Sequence, residues 1–309
     1  MSAFLFPGQG AQYPGMGKDF HDAFLKAKEV FQEADELLNE NLSKTIFEGS
    51  ADLLTETRNS QLAIFINSIA ILKVIEEQLP DLKPAIAAGL SLGEYTALCA
   101  TGRLGFKETL FLVRERAQRM NDACEKKKGT MAAVLGLLAP DVEAAVQGLE
   151  GVWVANYNCP GQTVISGTEK GIAAAADTLK ARGAKRVLPL TVHGAFHSGL
   201  MLSAQEGLAL FIERTRFQHS PIELVMNVPG DFVASESDLR RFLTLQVTQS
   251  VRWEQGISAI EKRGGVSLYL EIGCGKTLAG MNKKIGVLAK THSIEKVADL
   301  ETLGSLCSC

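Results

Sequence analysis

The sequence predicts an α/β protein, a mainly parallel sheet covered by helices, with a smaller subdomain of β-α-β-β-α-β order inserted into it. Three observations predict it. Strand-like and helix-like runs alternate through residues 1–126, as they do when parallel strands are joined by crossover helices. Residues 127–192 break that alternation with two adjacent strand-like runs. Of the 309 residues, 46% are hydrophobic, enough to fill one large domain or two unequal ones.

The elements follow in order. "AFLF" is a first strand that stops at Pro7-Gly8. A helix is expected from about Phe20 to Leu38, because Phe20, Phe24, Ala27, Phe31 and Ala34 recur near helical spacing. "QLAIFINSIAILKVIEEQL" is apolar nearly all round and reads as a buried helix. "KPAIAAG" is a short strand, and "GEYTALCATG" a helix closed by Gly102. "FKETLFLVRERAQRMNDA" is another long helix, and "EKKKG" after it reads as a solvated linker.

Within the inserted stretch, "TMAAVLG" is a strand and "PDVEAAVQGL" a helix opened by Pro and Asp. "VWVANYN" and "QTVISG" are strands around a turn at Asn158-Cys159-Pro160-Gly161. "EKGIAAAADTLKARG" is a helix with a glycine stop, and "KRVLPLTV" a strand. That order is the ferredoxin-like pattern. The expected organisation is therefore a catalytic core of residues 1–126 and 193–309 around a small subdomain of residues 127–192.

Composition narrows the function. The net charge of −3, from 32 Lys+Arg against 35 Asp+Glu, gives no global field for nucleic acid or membrane. No apolar run approaches the roughly 20 residues that span a bilayer. "MSAFLFPGQG" lacks the basic and apolar regions of a signal peptide. Cys99, Cys124, Cys159, Cys274, Cys307 and Cys309 form no CxxC pair, so a reducing, cytoplasmic compartment is expected.

Chemistry concentrates at "AIAAGLSLGEYTAL". Gly89-Leu90-Ser91-Leu92-Gly93 matches G-x-S-x-G, the nucleophile elbow, with a strand before it and a helix after it. The helix N-terminus favours developing negative charge at Ser91. A neutral hydroxyl needs a base. His21, His219 and His292 read as surface residues, whereas His193 and His197 in "TVHGAFHSGLM" follow a strand, where functional groups of α/β sheets gather. A metal pair at those two histidines is disfavoured, because Gly194 stands where H-E-x-x-H has glutamate. Arg114, Arg116 and Arg119 share one helix, and periodicity does not choose among them. "GCGKT" at Gly273–Thr277 resembles half a P-loop, but Leu270 stands where its first glycine belongs.

As a set, these segments resemble one family, the malonyl-CoA:acyl carrier protein transacylases. The resemblance runs through "FPGQGAQYPGMG", "GLSLGEYTAL", "LVRERAQRM", "VANYNCPGQTVISG", "GAFHSGLM", "LQVTQSVRW" and "YLEIGCGKTLAGMNKKI", in family order over essentially the whole chain. It implies an α/β-hydrolase-like core with a ferredoxin-like insertion, and no cofactor or metal. It assigns Ser91 as nucleophile, His197 as base, the amides of Gln9 and Leu92 as oxyanion hole, and Arg116 as the partner of the substrate carboxylate. Arg116 lies 25 residues after Ser91, the family's offset. Gln246 would orient His197 through its backbone carbonyl.

One departure is Leu90, which stands where many members carry histidine, so the carboxylate rests more heavily on Arg116. The implied partners are malonyl-CoA and holo-acyl carrier protein, an acidic partner that Lys283, Lys284 and Lys290, or Lys185 and Arg186, could meet. A monomer is expected, with no nucleic acid and no membrane. The rival reading is a serine hydrolase or thioesterase of the lipase or patatin type, which shares Ser91 but has no need of Arg116.

Overall fold

A computed structural model describes residues 1–307; Cys309 lies outside the described residues. The fold is mixed α/β with two sheets. In chain order the strands are β1 (Ser2–Phe6), β2 (Pro84–Gly89), β3 (Thr130–Leu135), β4 (Val152–Cys159), β5 (Gln162–Gly167), β6 (Arg186–Pro189), β7 (Glu223–Met226), β8 (Asp231–Val233), β9 (Val251–Arg252), β10 (Leu268–Ile272) and β11 (Thr291–Ile294). The chain divides into two compact units: Met1–Arg114, Arg216–Val225 and Ile260 onward form the first, Glu115–Thr215 and Met226–Ala259 the second.

The first unit holds strands in the order β11-β10-β1-β2-β7. Every pairing among them is parallel, with Phe4 of β1 opposite Leu270 on one side and Ala87 on the other. All five residues of β1 are buried, as a strand covered on both faces must be. The apolar run read as a buried helix is Thr57–Gln78, and Ile64, Phe65, Ile69 and Ile71 are sealed on different sides of it. Each such side chain contributes roughly 1.5–3 kcal/mol on burial. Phe65 also stacks on Phe106, with ring centres 5.5 Å apart.

Two features of this unit differ from expectation. The single helix expected from Phe20 to Leu38 is two, Lys18–Ala23 and Leu25–Leu38. Phe24 between them is extended, at φ −129° and ψ 127°, which breaks the hydrogen-bond ladder without disturbing the apolar spacing. The short helices Leu42–Glu48 and Ala51–Thr55 were not expected either. Asn41 and Ser50 cap them through side-chain oxygens, a local signal too brief to show as periodicity.

The second unit carries a sheet of order β6-β3-β5-β4-β9. β3, β4, β5 and β6 pair antiparallel, and β9 joins β4 in parallel. The elements from β3 to β6 follow in the predicted order, strand, helix Ala139–Val146, two strands, helix Glu169–Ala181, strand. Val134, Val142, Ile165 and Leu179 close the core between these helices and the sheet. β4 runs through Cys159, so the turn narrows to Pro160-Gly161, with Gly161 at φ 74°. β6 ends at Pro189, short of the expected Val192. Among the described residues no helix is long and apolar enough to cross a membrane.

Candidate active site

In the first unit, β2 ends at Gly89 and helix Gly93–Ala100 begins four residues later. Ser91 sits between them at φ 52°, in the left-handed region that L-residues avoid at a cost of about 1–3 kcal/mol. The turn is that sharp because backbones touch. A Cβ on Gly89 would lie 1.9 Å from the Gly93 carbonyl carbon, and one on Gly93 would lie 2.1 Å from the Phe6 carbonyl oxygen. The two glycines of the motif are therefore packing requirements. Leu92 precedes the helix, and the leading amides of a helix have no partner within it. The Pro7–Gly10 loop lies against the same elbow: Leu90 N–H donates to the Phe6 carbonyl at 3.0 Å, and a Cβ on Gly8 would lie 2.4 Å from the Leu90 carbonyl oxygen. Gln9 is half-buried at the tip of that loop.

In the second unit, His197 is the other expected residue with a positive φ, 56°. Among the described residues only Asn39, Ser91 and His197 adopt positive φ without being glycine. Ser91 and His197 are both strained and both singled out by chemistry, which is where strain concentrates. His197 N–H donates to the Val247 carbonyl at 3.1 Å, and its Nδ1 lies 2.7 Å from the Gln246 carbonyl. Since that carbonyl can only accept, Nδ1 carries the proton and Nε2 keeps its lone pair. Ser198 closes the loop, donating to the Ala195 carbonyl at 2.6 Å and accepting from Leu200 N–H at 3.2 Å.

Burial, and after it the Arg116 cation, push the His197 imidazole down from 6.5 to about 4, while the carbonyls of Gln246 and Gln249 pull the other way. The ring is thus neutral at pH 7. Arg116 is only 1% exposed, and its Nη2 donates to Gln246 Oε1 at 2.9 Å. Gln246 therefore holds both groups, Arg116 by its side chain and His197 by its main chain. The three arginines that periodicity left equivalent differ in burial, and of them Arg116 alone is buried. Arg114 is exposed over Phe111, and Arg119 pairs with Glu115.

His193 stands apart from this cluster, exposed and bonded to Glu125 at 2.6 Å. Of the three histidines read as surface residues, His219 is exposed and His292 is half-buried in β11. His21 is half-buried against Phe31 and Phe47. A cavity of about 560 Å³ opens beside His197, walled by Trp153, Tyr157, Gln205, Gln249 and Ser250. Sequence reasoning missed Val247 and Ser198. The signal available for Ser198 was a hydroxyl at the start of "SGLM", a turn-capping position.

Residues 3–249 match the acyl transferase domain family. The chain belongs to that family. It is 42% identical over 305 residues to the "Malonyl CoA-acyl carrier protein transacylase" of Bacillus subtilis, covering 97% of this chain and 94% of the relative. Its structure resembles the crystal structure of MCAT from Streptococcus pneumoniae, with a TM-score of 0.93 and 38% identity over 99% of this chain and 100% of the other. It is equally close, at a TM-score of 0.93 and 34% identity, to a malonyl-transacylase in complex with its type II PKS acyl-carrier protein, covering 97% of this chain and 98% of that one. Like the relatives it matches, the chain is an acyl-transfer enzyme.

Proposed function

We infer that this acyl transferase moves the malonyl group from malonyl-CoA to the phosphopantetheine thiol of acyl carrier protein, through an ester on Ser91. The observation that carries the reading is a sealed arginine beside a neutral, oriented histidine. A guanidinium presents a planar fork that pairs bidentately with a carboxylate, so the acyl group Arg116 accepts carries a free carboxylate. The relatives named as malonyl transacylases support the same substrate.

The roles follow from the chemistry of each group. His197 Nε2 takes the hydroxyl proton as Ser91 Oγ attacks the thioester carbonyl. The oxyanion that forms is held by the amides of Gln9 and Leu92, each worth on the order of 3 kcal/mol. Collapse breaks the carbon–sulfur bond, and His197 returns the proton to the departing CoA thiolate. The carrier thiol then repeats the sequence in reverse, its proton passing through His197 to Ser91 as the ester breaks. The Gln246 carbonyl fixes the histidine tautomer, a task other triads give to a carboxylate. Arg116 pairs with the malonyl carboxylate in both halves. The cavity beside His197 has room for part of the thioester arm.

The same reading extends to architecture and setting. Residues 1–126 and 193–309 form an α/β-hydrolase-like core, and residues 127–192 a ferredoxin-like insertion. Its strand order β6-β3-β5-β4, with the helices on one face, supports that assignment. The enzyme acts in the cytoplasm as a monomer, in fatty acid synthesis. The deciding experiment is Arg116→Ala, assayed with malonyl-CoA and acetyl-CoA. Malonyl transfer is expected to fall about 100-fold, as when a buried charge pair is lost, while acetyl transfer rises. Unchanged malonyl kinetics would remove Arg116 from the substrate site.

A further inference from the structure

The half P-loop at Gly273–Thr277 and the carboxylate just ahead of it have no part in the reaction above. Glu271 is completely buried on β10, in the first unit. One of its oxygens accepts from Leu278 N–H at 2.9 Å; the other accepts from Ala279 N–H at 3.0 Å and from the Ser293 hydroxyl at 2.8 Å. Leu278 and Ala279 open helix Thr277–Ile285, whose own cap residue, Lys276, makes no side-chain cap bond. The helix is thus capped from a neighbouring strand. Burial raises the Glu271 carboxyl above its usual range, and the three donors oppose that shift.

What this cap holds is the turn between strand and helix. Gly273 and Gly275 both have positive φ, 138° and 80°, and Gly273 N–H donates to the Ile294 carbonyl at 3.2 Å. A Cβ on Gly273 would lie 2.8 Å from Pro7 Cγ and 2.4 Å from Ser68 Oγ; one on Gly275 would lie 3.6 Å from Ala11 Cβ. The turn is therefore one wall against which the Pro7–Ala11 loop rests. The elbow is the other, through Gly8 and the Leu90 carbonyl. Gln9 lies on the loop between these walls. The glycines that resemble a phosphate cradle receive another loop of the same chain.

We propose that Glu271 is a positioning residue: by capping helix Thr277–Ile285 it fixes the Gly273–Gly275 turn, and through that turn it aims the Gln9 amide at the developing oxyanion. The proposal rests on the reading of Gln9 as an oxyanion donor. It predicts an effect on rate in both half-reactions, since one oxyanion hole serves both, and none on carboxylate recognition.

The test is rapid-quench kinetics on Glu271→Ala and Glu271→Gln, with Leu54→Ala as a control for lost stability in the same unit. Glu271→Ala should slow acylation of Ser91 and transfer to the carrier thiol by about 10- to 100-fold, the scale of a displaced oxyanion donor, with KM and the malonyl-to-acetyl ratio held within about twofold. Glu271→Gln, which keeps one acceptor, should lose less. Rates in Glu271→Ala equal to those of Leu54→Ala at matched Tm would overturn the proposal, as would a rise in KM with unchanged rates. If Glu271→Ala does not fold, Ser293→Ala removes one of the three donors and should slow acylation a few-fold at constant KM; an unchanged rate overturns the proposal. A wild-type chain that forms no ester on Ser91 defeats the underlying reading along with it, whereas normal ester formation at undiminished rate in the variants defeats the proposal alone.

Discussion

The serine elbow and the histidine loop solve one problem in opposite ways. Each holds a non-glycine residue at positive φ, Ser91 at 52° and His197 at 56°. The elbow is held locally: Gly89 and Gly93, two residues to either side of Ser91, let the strand and helix backbones touch. The histidine loop is held from a distance. Its ring leans on Gln246 and its amide on Val247, both about 50 residues later in the chain, and Arg116 pairs with Gln246 from 130 residues earlier. Strain stored by packing is written in a short motif. Strain stored by long-range hydrogen bonds is not.

The sharpest way to break this comparison is at the elbow. Gly89→Ala pushes a methyl into the Gly93 backbone, which has no freedom to yield. We expect a stability loss of about 3 kcal/mol by thermal or chemical denaturation, the upper range for overpacking. Acylation should fall roughly 10³-fold, since both the nucleophile and the Leu92 amide move. A Gly89→Ala enzyme with near-normal kcat would show that the elbow tolerates more slack than its contacts imply.

Next in size is the Arg116→Ala substitution described above, which leaves the elbow intact. The smallest effect concerns pH. A base lowered to about 4 loses activity only as pH falls through that value. The acid limb of kcat/KM should therefore lie near 4, and the enzyme should keep nearly full activity at about pH 5.5, where an unperturbed histidine would retain only about a tenth. Removing the Arg116 cation deletes one cause of the depression, so the limb in Arg116→Ala should move up towards 6.5. An acid limb at 6.5 in the unmodified enzyme would mean that the His197 environment is wetter than its burial indicates. The same shift makes the native state bind fewer protons than the unfolded chain between these values. His197 therefore contributes to a loss of stability as pH drops from 6.5 towards 4.

Much of this was legible in the sequence, and the exceptions have physical causes. β1, the buried helix Thr57–Gln78 and the strand–helix order from β3 to β6 carry strong periodicity or length, and they stand as read. The break at Phe24 was hidden because an extended residue between two helices need not disturb apolar spacing. Helices Leu42–Glu48 and Ala51–Thr55 are too short to show a period. At the site, Ser91 and the candidate histidines were visible from local pattern alone. Arg116 was one of three arginines until family resemblance favoured it and burial separated it from Arg114 and Arg119. Glu271 gave no signal at all, because a carboxylate that caps a helix from another element looks like any glutamate in a strand.

The measurement closest to the centre of the account is peptide mass spectrometry after brief exposure to malonyl-CoA without carrier protein. One malonyl ester should appear on the peptide containing Ser91, be lost on adding holo-carrier protein, and be absent from Ser91→Ala. Transfer that proceeds with no adduct on that peptide, or that survives Ser91→Ala, would contradict it.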